Sequence, residues 1–202
     1  KDKSMKDSDE LSRLLDEEKS LGLYEADAYK NFYSRMNDLK FKVNKYIDSE
    51  ISKGNLILGL GASTKGNVLL QYFGLDKKKI PFISEKQKSK VGLKTLGSDI
   101  DLISEEAAYL KNPSCMLVLP WYFKDEIVAR EKDYIQNGGA LLFPMPYAHL
   151  VTQNGEIELW LGFNNCKQIS VMTAKKILTN LNNLKVSEDH LAPVYKLYFN
   201  GQ

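Results

Sequence analysis

The sequence predicts an α/β fold in three layers around a mostly parallel sheet. Three observations carry this. Short apolar runs alternate with helical patterns between about residues 55 and 143. One run, Leu56-Ile57-Leu58, breaks into Gly59-Leu60-Gly61-Ala62-Ser63-Thr64-Lys65-Gly66-Asn67 and restarts as the helical series Val68-Leu69-Leu70-Gln71-Tyr72-Phe73. A long helical pattern precedes all of this, and strands alternating with helices build a sheet covered on both faces.

Each element has a local reason. Residues 1–20 are charged and lysine-rich, with one short apolar series at Leu11, Leu14 and Leu15. They predict a flexible segment holding a frayed or weakly docked helix. From residue 24 to about 51, Tyr29, Phe32, Tyr33, Met36, Leu39, Phe41, Val43, Tyr46 and Ile47 recur mostly at three- and four-residue steps. That is a long helix, expected to lay an aromatic stripe on the sheet. Lys53-Gly54 is its C-terminal stop. Strands follow at 55–60, 80–83, 115–119 and 140–143. Helices are predicted at 64–73, 104–111 (Ser104 as N-cap, Glu105 and Glu106 in the first turn) and 123–136, the last ended by Asn137-Gly138-Gly139. Residues 84–101 read as a long lysine-rich loop. After Pro146, residues 151–160 read as a hairpin around Asn154-Gly155, residues 171–184 as a helix and residues 192–199 as an edge strand. The expected organisation is a flexible segment over 1–20, one domain over 21–150, and a hairpin-plus-helix extension of it over 151–202.

Composition narrows the function. The 202 residues carry a formal charge of only +2, and 43% are hydrophobic. Arginine occurs only as Arg13, Arg35 and Arg130. Weak net charge and scarce arginine disfavour a nucleic-acid partner. No apolar stretch approaches the roughly 18 residues of a membrane span, so no membrane partner is expected. Cys115 sits in an apolar run and Cys166 in a polar one. That fits free thiols in a reducing, cytoplasmic setting. The chain begins with Lys rather than Met, as a piece of a longer protein or a product of tag removal would.

The glycine turn is the strongest chemical signal. Glycines permit a tight turn and a close ligand approach, and the first helical N–H groups then face an anion. Lys65 adds a mobile cation. The turn is not a Walker A loop, because Asn67-Val68 stands where Lys-Ser/Thr is required. Nor is it a full dinucleotide fingerprint: Gly66 comes two residues late, and Ser84 stands at the end of the second strand where a ribose-binding acid is expected, with Glu85 as the nearest substitute. A purely structural turn is the competing reading. A second cluster, Leu119-Pro120-Trp121-Tyr122-Phe123-Lys124-Asp125-Glu126-Ile127, follows the third strand, where open α/β sheets bind ligands. Trp121 and Tyr122 are placed to stack on a base or sugar, or simply to cap the core. In the third, Gly138-Gly139-Ala140-Leu141-Leu142-Phe143-Pro144-Met145-Pro146, the prolines shape a loop rim. His149 and His190 read as structural or merely exposed, and no metal site or catalytic group is expected in this chain.

In this order the three clusters resemble the C-terminal domain of S-adenosylmethionine-dependent C-methyltransferases acting on nucleotide-linked deoxysugars. The resemblance spans about residues 20–150 and implies a Rossmann-like domain. It implies a substrate site of Gly61, Ala62, Ser63, Lys65, Asn67, Trp121, Phe123 and Pro146, in which Ser63, Lys65 and Asn67 lie near the diphosphate and Trp121 and Phe123 near the sugar-nucleotide cleft. It implies a partner domain upstream that binds S-adenosylmethionine, with no cofactor in this chain, so that this chain alone is inactive. In the whole enzyme the implied chemistry is deprotonation beside a keto group and carbanion attack on the sulfonium methyl. The match departs at Ser84, where the family has Asp, and at Leu96-Gly97-Ser98-Asp99-Ile100-Asp101, where it has Pro-Gly-Thr-His-Ile-Pro. The resemblance therefore does not name the sugar. A free-standing nucleotide-binding protein and a non-catalytic scaffold or oligomerisation domain remain open on the residues alone.

Overall fold

The computed structural model describes residues 9–159. Helix α1 spans Asp9–Ser20 and α2 Ala26–Ser52. The alternating part is β1 (Ile57–Leu60), α3 (Thr64–Phe73), β2 (Phe82–Glu85), β3 (Asp101–Ser104), α4 (Glu105–Leu110), β4 (Cys115–Val118), α5 (Lys124–Arg130), α6 (Lys132–Gln136) and β5 (Ala140–Phe143). A hairpin of β6 (His149–Thr152) and β7 (Gly155–Glu158) follows. All seven strands form one sheet, in the order β3-β2-β1-β4-β5-β6-β7. Pairings from β3 to β5 are parallel, and the last two are antiparallel. The three-layer, mostly parallel, Rossmann-like fold is therefore present. The strand order reverses between β1 and β4, which makes the C-terminal ends of these two neighbours the switch point.

Period-2 alternation splits the core across the sheet. On one face Val43 and Ile47 of α2 and Leu70 and Phe73 of α3 pack with Ile57, Ile83, Leu117 and Leu142. On the other, Ile127 of α5 and Ile135 of α6 pack with Leu60, Met116, Val118, Leu141 and Phe143. Polar contacts join α2 to α3: Asn44 Nδ2 donates to the Phe73 carbonyl at 2.9 Å, and Tyr72 Oη donates to Asn37 Oδ1 at 3.0 Å.

Several expectations change. The aromatic stripe of α2 does not lie on the sheet. Only Leu39, Val43 and Ile47 are buried, whereas Tyr29, Phe32, Tyr33 and Phe41 are exposed: the N-terminal half of the helix runs beyond the core, and Phe41 points away from it. α1 buries none of its residues, in keeping with weak docking. The stretch read as a loop over 84–101 ends in an edge strand, β3, whose two flanking polar residues hid it. The helix predicted over 123–136 is a 3₁₀ turn, Trp121–Phe123, followed by two short helices that break at Glu131. The hairpin begins two residues early, at His149. Its turn residues are Gln153 and Asn154, with Gly155 taking the left-handed position after them (φ 103°). The helix expected at 171–184 and the strand at 192–199 lie outside the described residues. No helix among the described residues is long and apolar enough to cross a membrane.

Candidate functional site

The glycine turn leaves β1 at the switch point. Gly61 adopts φ 75°, a left-handed conformation in which a side chain would be strained, and a Cβ there would lie 3.0 Å from Pro120 Cγ. Its N–H donates to the Ser84 carbonyl at 2.8 Å. Ser63 is the N-cap of α3, and its Oγ accepts from Gly66 N–H at 3.0 Å. This leaves the amides of Thr64 and Lys65, the first two of the helix, without intrahelical acceptors. Gly66 is buried so closely against the end of β4 that a Cβ would fall 2.5 Å from Leu119 Cβ. The late third glycine thus serves helix-to-strand packing, the role the third glycine of a dinucleotide turn also has.

The first two sequence motifs meet here. β1 and β4 are paired, with Leu60 opposite Val118, so the glycine turn and Pro120-Trp121-Tyr122-Phe123 leave adjacent strands side by side. Lys65 Nζ lies 4.5 Å from the centroid of the Tyr122 ring, within cation–π range. Trp121 is half-buried against both cores, whereas Phe123 is exposed. Asn67 is half-buried, and its Oδ1 is enclosed without a hydrogen-bond partner. Pro146 follows β5, one strand further along, after a cis Met145–Pro146 peptide bond, and is exposed.

Glu85 does more than its place in the sequence suggested. It ends β2 and is buried, and its Oε2 accepts from Ala62 N–H at 2.8 Å while Oε1 accepts from Gln87 N–H at 2.8 Å. Lys90 Nζ sits 3.8 Å from the same carboxylate and donates to the Ala62 carbonyl at 3.0 Å. The acid at the strand end thus braces the glycine turn from below, and the lysine-rich loop, through Lys90, closes over it. Beside it a crevice opens between the ends of β1, β2 and β4, with Ser84, Lys86, Glu105, Phe123 and Arg130 among its walls. Arg130 Nε donates to Glu131 at 2.8 Å and its Nη2 lies 3.6 Å from Glu105. Residues 84 and 105 come from different crossover units and share no sequence signal, so the crevice was not legible beforehand.

The third motif is tied to the hairpin instead. His149 is fully buried, stacked on Phe143 (ring centroids 5.2 Å) and Tyr147 (4.3 Å). Its Nδ1–H donates to the Tyr147 carbonyl at 2.8 Å, which leaves Nε2 as an unprotonated, unpartnered nitrogen 3.8 Å from Glu156 Oε1. Burial pushes the imidazole below its ordinary value. Burial alone would raise Glu156, but hydrogen bonds from Lys124 (2.7 Å) and Tyr147 outweigh it and hold the carboxyl low. Among the described residues no group of His, Cys, Asp and Glu is arranged to hold a metal.

A family model described as the C-methyltransferase C-terminal domain matches residues 1–146. The chain is also similar to the C-methyltransferase NovU of Streptomyces niveus, 31% identical over 142 residues, which are 70% of this chain and 34% of the relative. The chain therefore spans about a third of that relative's length. The matched span contains the glycine turn, the aromatic turn after β4 and the proline exit of β5, and it stops before the His149 hairpin. This chain belongs to the C-methyltransferase C-terminal domain family.

Proposed function

We propose that this chain is the substrate-holding domain of an S-adenosylmethionine-dependent C-methyltransferase, and that it binds a nucleoside diphosphate sugar or a similar anionic small molecule. The supporting observation is the paired exit of β1 and β4. It sets the open amides at the start of α3, the Lys65 ammonium and the aromatic turn along one sheet edge. Lys65 rests on the Tyr122 ring rather than in an ion pair with a described carboxylate. Its charge is held beside the amides without being neutralised, which suits it to a diphosphate. The domain contributes positioning and phosphate neutralisation. The methyl donor, bound on the upstream domain, supplies an electrophilic sulfonium methyl. The whole enzyme works in the cytoplasm.

Calorimetric titration with nucleoside diphosphates and with inorganic pyrophosphate tests this reading. Lys65→Ala should weaken binding about tenfold, the loss of one charge-assisted contact. Unchanged affinity for the diphosphate would refute the role of the ammonium.

A second reading, docking, has its own observation. Leu11, Leu14, Leu15, Tyr29, Phe32 and Tyr33 are all exposed on α1 and the N-terminal half of α2. Exposed apolar side chains on two successive helices suit an interaction face. The upstream methyltransferase domain is the partner that unites both readings. Light scattering of the chain with and without that domain checks it.

A further inference from the structure

We propose that Glu156, on the hairpin, is a positioning residue for the substrate site: through Lys124 it fixes the aromatic turn after β4 and, by way of Tyr122, the place of the Lys65 ammonium. This rests on the reading above, in which the ligand lies along the paired exit of β1 and β4. Tyr147, His149 and Glu156 all fall outside residues 1–146, the span that the family model matches.

The aromatic turn has little of its own to hold it. Trp121 is half-buried, but Tyr122 and Phe123 are 45% and 53% exposed, and no side chain caps the start of α5 behind them. Lys124, the first residue of α5, is a cation in a first helical turn, where the helix dipole disfavours positive charge. Glu156 offsets this. Its Oε2 accepts from Lys124 Nζ at 2.7 Å. With side chains 30% and 32% exposed, the pair is screened less than a surface bridge.

Glu156 is itself held in place. Tyr147 Oη donates to its other oxygen. The fully buried His149 sets its unprotonated Nε2 3.8 Å from that oxygen, so the imidazole offers no donor to draw the carboxylate off Lys124. The ammonium also lies 5.7 Å from the Phe143 ring centroid and 5.8 Å from that of Tyr147, within cation–π range. Both rings stack on His149, so the end of β5, the hairpin and the start of α5 meet around one ion pair. Tyr122, two residues before Lys124, carries the Lys65 ammonium 4.5 Å from its ring centroid. The path from Glu156 to the substrate site thus passes through two residues of one turn. Holding that turn in one conformation before the ligand arrives lowers the cost of binding.

The test uses the full chain carrying Trp160→Phe, which leaves Trp121 as the sole tryptophan. Fluorescence is read beside calorimetry with UDP, CDP, ADP, GDP and inorganic pyrophosphate, well below the thermal midpoint. Glu156→Gln should red-shift Trp121 emission, raise its quenching by acrylamide, and weaken binding of the tightest nucleoside diphosphate about threefold. Lys124→Met should do the same, and the double variant should be no worse than either single one, because both break one path. Unchanged Trp121 emission and quenching together with parental affinity, whatever the thermal midpoint does, show a merely structural bridge and overturn the proposal. Additive losses overturn the path through Lys124. If Glu156→Gln leaves affinity alone while Lys65→Ala still lowers it, the substrate site stands without the hairpin and the proposal falls. If the parent chain binds no diphosphate, pyrophosphate included, both readings fall.

Discussion

Substituting Gly66 by alanine tests the packing that creates the site. The added Cβ would meet Leu119 Cβ at 2.5 Å, Ser63 Oγ at 2.9 Å and Leu119 Cα at 3.3 Å. Two of these atoms belong to the end of β4, which is held in the sheet by Leu119 N–H donating to the Leu60 carbonyl at 3.1 Å. That wall cannot swing away as a flexible side chain would. Relief must come from α3 lifting off β4 or from Ser63 leaving its cap. Overpacking of a tight contact costs about 1–3 kcal/mol, and loss of a serine N-cap about 1 kcal/mol. Alanine returns at most about 1 kcal/mol of helix propensity, the interior value, at this first-turn position. The balance is a destabilisation of about 1–3 kcal/mol, read as a lowered urea midpoint at unchanged slope. The same displacement carries the α3 amides away from Pro120, so diphosphate affinity should fall with stability. A Gly66→Ala protein as stable as the parent would show that the approach of α3 to β4 does not require a glycine, and the argument for α3's placement would fail.

Other predictions follow from the same geometry. Ser63→Ala should cost about 1 kcal/mol of stability, as a lost N-cap does, measured by urea denaturation. His149 is neutral in the fold and its pKa is depressed, so the unfolded chain binds more protons as pH falls below about 6.5. Stability should therefore be full above that pH and decline below it. His149→Phe should flatten the decline between about pH 6.5 and 5, and parallel curves for the two proteins would contradict this. Cys115 is fully buried, and burial pushes its thiol up to about 12. Site-resolved mass spectrometry should find it unmodified by iodoacetamide at pH 8 in native protein and labelled in urea.

The amino-acid sequence by itself determined the alternating part of this protein, and the reasons are local. The run at 57–60 flanked by glycines, Ser63 and Ser104 as caps, and Gly74 as a left-handed stop (φ 69°) each act within a few residues of chain. Such signals survive whatever the rest of the fold does. β3 escaped because an edge strand has less to bury: Asp101-Leu102-Ile103-Ser104 holds only two apolar residues and no clear alternation. The α2 aromatics misled for the complementary reason. Periodicity says which side of a helix is apolar, but not how far the sheet beneath it extends. Ser84 and Glu85 likewise gained their meaning from distant partners. Only the crossing of chain from β2 through β3 to β4 brings Glu105 and Arg130 beside them, and only the parallel pairing of β1 with β4 sets Lys65 against Tyr122. Contacts between residues far apart in sequence leave no mark in local propensity, so tertiary structure alone decided the crevice, while turns, caps and strand runs were already written along the chain.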